Sequence, residues 1–454
     1  MATVDVGRVL DESDWSGYQR LLVFATALTI VFDGLDNQVL GGAIPVMMRE
    51  WQLPRAALTP ALTSGFVGMV TGSFLGGILG DRLGRRVALL SSIVAFGLLT
   101  LLVATAGDPA TLAAFRFLSG LGLGGAMPNA ASLVSEFAPR RHRPFAVTLT
   151  IVCIPLGGTL AGLIGGAVLP QYGWRALFVV SGAMPLVLAA ALFGVLPESP
   201  RFLARHQRRW PELAALLGRL GHRVGPDATF ADVQETGAAR GSIAELVAPA
   251  YRRDTLALVA SFFFCLTTVY IGTNWVPQML VSNHFDVGTA SYGLTAFNIG
   301  GVVGAILGAA LILRLGSRLS MLGMAAGAIA GAIVLTMMPI GPNATFAVFA
   351  MLAWTGGLIN AVQTTMYALA AHVYPTSIRS TGVGTAVGIG RIGSVFSPAL
   401  GQRALDAGGA SWYFGLIAST MTIAFAALAS VRNHIPPVST AREAGSMAAE
   451  PAGR

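Results

Sequence analysis

Residues 77–86 read GILGDRLGRR: three glycines, one aspartate and three arginines between two long apolar runs, one starting near residue 60 and the other near residue 87. Glycines let two helices meet closely across so tight a turn. Asp81 is placed to pair with Arg82, Arg85, Arg86 or a helix end, forming a latch that a conformational change can break. An ordinary basic turn would carry the same residues. What decides the fold is the flanking pattern, because apolar runs of span length recur from about Leu21 to about Val431.

The chain has 454 residues, 54% of them hydrophobic and 11% charged, against roughly 25% charged in an average soluble domain. Mean hydropathy is +0.68. These values exclude a soluble enzyme. With lipid as the solvent, each span must satisfy its own backbone hydrogen bonds. The expected class is an all-α polytopic membrane protein, with twelve spans starting near residues 20, 60, 87, 109, 144, 175, 253, 290, 319, 343, 381 and 410. Composition divides the chain into an N-terminal six-helix half with a short cytoplasmic tail (1–196), a cytoplasmic linker (197–252), a C-terminal six-helix half (253–431) and a cytoplasmic tail (432–454). Residues 1–19 lack the basic start of a secretory signal peptide, so the first span is expected to stay in the protein.

The net charge is +8, and all 29 basic residues are arginines. No arginine cluster interleaved with aromatics points to nucleic acid. With both termini cytoplasmic, only Arg49, Arg55, Arg175 and Arg403 fall on the far side and only Arg116 and Arg391 within spans. Such asymmetry predicts that both termini are cytoplasmic. Cys153 and Cys265 both lie in apolar spans, where they are expected to pack as small hydrophobes. No metal site and no cofactor beyond a coupling proton is expected.

The halves echo each other. EFAPRRHR after span 4 aligns with HVYPTSIR after span 10, pairing Pro139 with Pro375 and Arg143 with Arg379; DRLGRR after span 2 aligns with LRLGSR after span 8, pairing Gly84 with Gly316. Parallel repeats related by an axis along the membrane normal produce this pattern. Leu313 stands where Asp81 does in the first copy, so a latch is expected to be stronger in the first half.

Ionisable groups inside spans are costly and usually functional. Asp33 and Asp36 lie in FDGLDNQVLGGAIP, three residues apart on one helix face, with Asn37 and Gln38 adding polarity. Two nearby carboxylates in low dielectric resist simultaneous ionisation, the property a proton carrier needs. Counting ~1.5 Å per residue places Asp33 roughly 20 Å and Arg116 roughly 24 Å from the cytoplasmic side, so the two can meet. An arginine that keeps its proton beside an aspartate that can gain one is a charge partner whose hold changes with protonation. A static ion pair is the alternative. The glycines after Arg116, in RFLSGLGLGGAMPN, form a packing face.

Arg391 in span 11 lies near mid-membrane, and the spans of the second half contain no acid. Its expected role is to hold a substrate carboxylate through two parallel hydrogen bonds; exposure to water in a cavity is the other reading. Tyr270, Asn274, Trp275, Asn298, Asn360, Gln363 and Tyr367 are candidates to line the same cavity and would suit a planar ring carrying a carboxylate and hydroxyls. Glu136, Arg143, His372 and Arg379 belong to the cytoplasmic edge, as gate contacts or as solvated loop charges.

With Asp33-Gly-Leu-Asp36, the glycine-rich segment from Arg116 to Asn129, PESPRFL at 197–203 and YPTSIRSTGVG through GRIGS at 374–394, the chain resembles the aromatic acid:proton symporters of the major facilitator superfamily. The likeness extends over almost all twelve spans. It implies bacterial uptake of benzoate-type acids, such as hydroxybenzoate, gentisate, vanillate or hydroxyphenylpropionate, through the inner membrane; the expected mode is alternating access of the two halves of a monomer. It also implies functional importance for Asp33, Asp36, Asp81, Arg116, Glu136, Arg379 and Arg391. An exporter of the same superfamily is the alternative. Nothing points to an enzyme: there is no HExxH zinc pair and no GxSxG elbow.

Overall fold

A computed structural model describes residues 3–222, 224–225, 228–232, 243–375 and 377–437. The end of the C-terminal tail and residues 233–242 of the expected linker lie outside the described residues. The chain divides into two compact units, Met1–Ala239 and Arg240–Arg454.

The first unit runs β1 (Thr3–Asp5), α1 (Val6–Asp11), α2 (Gly17–Trp51), α3 (Arg55–Leu83), α4 (Arg85–Val103), α5 (Pro109–Phe137), α6 (Arg143–Val195), α7 (Pro200–Ala204), α8 (Trp210–Arg219) and β2 (Thr229–Ala231). The second runs α9 (Ile243–Leu246), α10 (Arg252–Ser282), α11 (Val287–Met337), α12 (Thr345–Val373) and α13 (Arg379–Ser430). Nine helices among the described residues are long and apolar enough to cross a membrane.

Three of these nine, α6, α11 and α13, have 53, 51 and 52 residues. At ~1.5 Å per residue each is more than twice the ~30 Å hydrocarbon thickness. Each is broken by a glycine with positive φ: Gly173 at 73°, Gly316 at 78° and Gly409 at 61°. Twelve membrane-length segments result, six in each unit, and their starts fall within about five residues of those expected from apolar length.

Helix ends follow local chemistry. Ser16 and Gln19 form a capping box at the start of α2. Asp108 and Asp286 cap α5 and α11 by accepting the backbone N–H of Thr111 and Thr289, and the threonine hydroxyls, followed by these backbone groups, hold both carboxyls below the usual range.

Within the first unit α3 packs on α5 and α2 on α6, while within the second α11 packs on α12 and α10 on α13. The glycine face after Arg116 is used as expected: at Gly124 a side chain would strike the backbone carbonyl of Met69. A feature absent from the sequence reading is the pairing of β1 with β2 in a parallel two-stranded sheet. Val6, Leu10, Leu203, Leu213, Leu217 and Phe230 join the buried core that also contains Leu133 and Phe137 of α5. Tail and linker segments are therefore folded onto the end of the first unit, because α8 presents Leu213, Leu216 and Leu217 on one side.

Candidate functional site

Asp36 is fully buried on α2 and Arg116 is 4% exposed on α5. Arg116 Nη1 donates to Asp36 Oδ2 at 3.0 Å, and Nη2 donates to the Asp36 carbonyl at 3.3 Å. The second carboxylate oxygen, Oδ1, accepts the hydroxyl hydrogen of Thr100 on α4. Gly65 on α3 leaves room for the guanidinium, whose Nε would lie 3.6 Å from a Cβ at that position. Three transmembrane helices thus converge on one carboxylate. The pair is dry and geometrically well met, so removing either partner would leave an uncompensated buried charge.

The depth count matched Arg116 with Asp33; the structure joins it to Asp36. Three residues further along α2 is ~4.5 Å deeper, which brings Asp36 level with Arg116 at roughly 24 Å. Asp33 is also buried, at 6% exposure. Asn37 donates to Met69 Sδ at 3.5 Å, and Gln38 is buried on the same helix. Thr100 escaped the sequence reading because a threonine in an apolar span carries no signal of its partner.

In the second unit, Arg391 of α13 lies within electrostatic reach of the Tyr367 hydroxyl on α12, which also hydrogen-bonds the Gln363 side chain. Tyr367 in turn packs edge-on against Phe262 of α10, with ring centroids 5.3 Å apart. Arg391, Tyr367 and Gln363 thus belong to one region of the second unit, next to the Phe262 ring. Asn298 and Asn360 are buried and donate to carbonyls of their own helices, Leu294 and Gly356. Trp275 is fully buried and donates to the Pro398 carbonyl at 3.2 Å, a contact that joins α10 to α13. Asn274 is fully buried with no hydrogen-bond partner on either polar atom, and Tyr270 is half-buried one turn before it.

The charged turn at 77–86 has a defined geometry. Gly84 separates α3 from α4 at φ 107°, and a side chain there would collide with the Glu198 carboxylate. Glu198 is 1% exposed and accepts the backbone N–H groups of Arg86 and Ser199 at 2.9 and 2.8 Å. Asp81 pairs with Arg85 one turn away at 2.5 Å but is 62% exposed, so this latch contributes little by itself. Arg82 is exposed, and Arg86 lies over the Phe193 ring at 5.2 Å. In the second unit Gly316 repeats the positive φ, and Ser317 N–H donates to the Ile435 carbonyl at 2.8 Å. The segment after the last membrane-length helix of each unit thus caps the equivalent glycine turn.

Glu136 is half-buried at the end of α5, accepts the Ser199 hydroxyl and lies near Arg201 and Arg85. A cavity of about 240 Å³ opens beside these residues and Arg143. Arg143 binds the Ser135 carbonyl at 2.6 Å and Asp11 of α1 at 2.5 Å, tying the N-terminal helix to the loop. Arg379 is exposed and donates to the Tyr374 carbonyl at 3.3 Å; His372 is exposed at the end of α12.

Two units of six membrane-length segments, equivalent glycine turns and a buried ion pair describe a polytopic membrane protein, and comparison with known sequences decides its family: the Major Facilitator Superfamily profile matches residues 26–386 and, again, 257–451. The chain belongs to the major facilitator superfamily. It is a transporter and not an enzyme. It is 33% identical over 408 residues to a gallate transporter of Pseudomonas putida, covering 90% of each chain. It is 33% identical over 434 residues to a 4-hydroxybenzoate transporter of the same organism, covering 94% of this chain and 95% of the other. The fold is also that of the xylose transporter XylE from E. coli in a partially occluded inward-open conformation, with a TM-score of 0.69 at 17% identity over 90% of this chain and 97% of that one. As a superfamily member similar to aromatic acid transporters, the chain is a multi-pass membrane protein.

Proposed function

We propose that this superfamily member is a proton-coupled symporter that imports an aromatic carboxylic acid, of the hydroxybenzoate, gentisate, vanillate or hydroxyphenylpropionate type, across a bacterial inner membrane. Both termini are cytoplasmic in this reading, as the arginine asymmetry requires, and the transporting species is a monomer. The observation that carries the proposal is the buried Asp36–Arg116 pair with Thr100 on the remaining carboxylate oxygen. A charge pair at this depth is costly unless it works, and a proton taken up by the Asp33/Asp36 pair loosens the hold on Arg116.

Arg391 receives the substrate carboxylate, with Tyr367 and Gln363 beside it to orient the anion. Loading an anion and a proton together lowers the cost of the alternating-access change, and one of each per cycle is electroneutral. The names of the relatives, gallate and 4-hydroxybenzoate transporters, support the substrate class. Replacing the fork of Arg391 tests it. Arg391→Gln, at parental expression, is expected to lose about two orders of magnitude in uptake of labelled 4-hydroxybenzoate, the effect of removing a bidentate charged contact of ~3 kcal/mol. Uptake equal to the parent would remove Arg391 from the substrate site.

A further inference from the structure

The second unit carries a groove of about 720 Å³ between the C-terminal end of α11 and the two halves of α13, beside the break at Gly408 and Gly409. Leu400, Ala404, Ala407, Gly415 and Leu416 give it an apolar, mostly small lining, while Arg403, Ser411 and Trp412 bring polar groups. Its size lies in the range of about 300–1,000 Å³ that takes small organic ligands. The groove is built into the unit, because the Ser411 hydroxyl donates to the Thr336 carbonyl at 3.1 Å and ties α13 to α11 along one wall.

Ile333, Val334 and Met337 of α11 and Ile423 of α13 are exposed, Met337 by 82%; apolar surface on that scale calls for lipid, not water. Trp412 is 64% exposed at the groove. A side chain at Gly408 would strike its indole, so the missing Cβ lets the ring lie against the break. Indoles placed this way mark the headgroup layer of a membrane. Arg403 precedes Gly408 by five residues, ~7.5 Å along the helix and about the thickness of one headgroup layer. Its guanidinium is thus level with lipid phosphates, while Leu400 and Leu416 are level with the chains. Arg403 is exposed and, among the described residues, makes no side-chain hydrogen bond or ion pair. Asp406, one turn on, accepts a hydrogen bond from Gln402 instead.

We propose that this groove binds one anionic phospholipid, with the phosphate on Arg403, the Trp412 indole beside the headgroup and an acyl chain along the apolar lining. A guanidinium presents a fork of donors that matches phosphate oxygens. An indole offers an apolar face to the chain and an N–H to the headgroup. No acid lines the groove, so a headgroup carrying an ammonium would find no counter-charge there, and the selection is for net negative charge. The site lies within the second unit and apart from Arg391, so it is independent of the substrate reading above.

The test uses the full chain, delipidated in detergent and titrated with phosphatidylglycerol or phosphatidylcholine whose acyl chains carry bromine, a contact quencher of indole emission. Parent emission minus that of Trp412→Phe follows Trp412 alone. Half-quenching is expected at about fivefold less phosphatidylglycerol than phosphatidylcholine, the worth of one arginine facing an anionic headgroup. Arg403→Gln, blanked by Arg403→Gln/Trp412→Phe, removes that difference, and Arg403→Lys keeps most of it. Both replacements leave the lipid-free thermal midpoint within about 2 °C of the parent's, because the side chain is exposed. Equal quenching by the two lipids, or a preference that survives Arg403→Gln, means bulk lipid only and overturns the inference. A lowered midpoint for Arg403→Gln would show a structural role and overturn it as well. Displacement of the brominated lipid by inorganic phosphate or by 4-hydroxybenzoate would make the groove a site for a free anion, and the lipid assignment would fall. A dimer in the native mass spectrum that Trp412→Phe dissociates would put a second copy of the chain there, with the same consequence.

Discussion

Asp36 and Arg116 are 0% and 5% exposed at their side chains and make one direct contact at 3.0 Å. Asp36→Asn leaves the guanidinium charged with only weak neutral acceptors near it, and Arg116→Gln leaves the carboxylate with the Thr100 hydroxyl alone. Breaking a buried pair from one side costs about 3–5 kcal/mol, whereas replacing both partners removes both charges and costs far less. For a unit of the size of Met1–Ala239, each single variant is therefore expected to lower the thermal midpoint by roughly 10 °C. The double variant Asp36→Asn/Arg116→Gln recovers most of that loss. The coupling energy from the full cycle is then at least about 3 kcal/mol, measured by thermal unfolding in one detergent for all four proteins. None of the three variants accumulates substrate against its gradient, so the recovered stability of the double variant is not recovered function. Additive effects, with a coupling below about 0.5 kcal/mol, would refute the pairing and with it the central element of the mechanism.

Three further outcomes follow from other parts of the structure. Gly84→Ala forces a Cβ into the Glu198 carboxylate at φ 107° and is expected to cost about 2–3 kcal/mol by thermal unfolding, whereas Gly77→Ala, with open space around it, is neutral or stabilising by up to about 1 kcal/mol. Glu198→Ala removes the acceptor of two backbone N–H groups and lowers stability by about 2 kcal/mol, with Glu198→Gln losing less because one acceptor oxygen remains. His434, bonded to Ser317 at 3.0 Å, is held below its ordinary value of 6.5 by burial and by the nearby Arg318 charge; docking of residues 431–437 is complete above about pH 6.5 and weakens as pH falls below it, so hydrogen-exchange protection factors there, taken relative to the intrinsic rate at each pH, should fall below that pH and stay constant in His434→Gln.

Much of this architecture was legible before any coordinates, for physical reasons that also set the limit. Apolar length marks a span because lipid admits few alternatives, so the helix starts came out within a few residues. The glycine turns were visible because Gly84 and Gly316 recur at equivalent places, and both adopt positive φ. Asp36 and Arg116 stood out because charge is rare in such segments. Which aspartate meets the arginine was not legible, since it depends on a three-residue step in depth. Thr100 and Glu198 were missed as functional neighbours because their partners lie 64 and 112 residues away. The small sheet of β1 and β2 joins segments 226 residues apart with no hairpin signal between them. The bond of the Trp275 indole to the Pro398 carbonyl, a helix–helix contact, likewise joins residues 123 positions apart with no signal in the sequence.

The central claim is that proton movement drives an aromatic carboxylate inward. Its most direct test is uptake of labelled 4-hydroxybenzoate, benzoate, 3-hydroxyphenylpropionate and a neutral sugar into proteoliposomes, with and without an inward proton gradient. The account predicts gradient-dependent accumulation of at least one aromatic acid, abolished by Asp36→Asn and Arg391→Gln and absent for the sugar. Accumulation that ignores the gradient, or export of the acids under it, would contradict the account while leaving the superfamily membership in place.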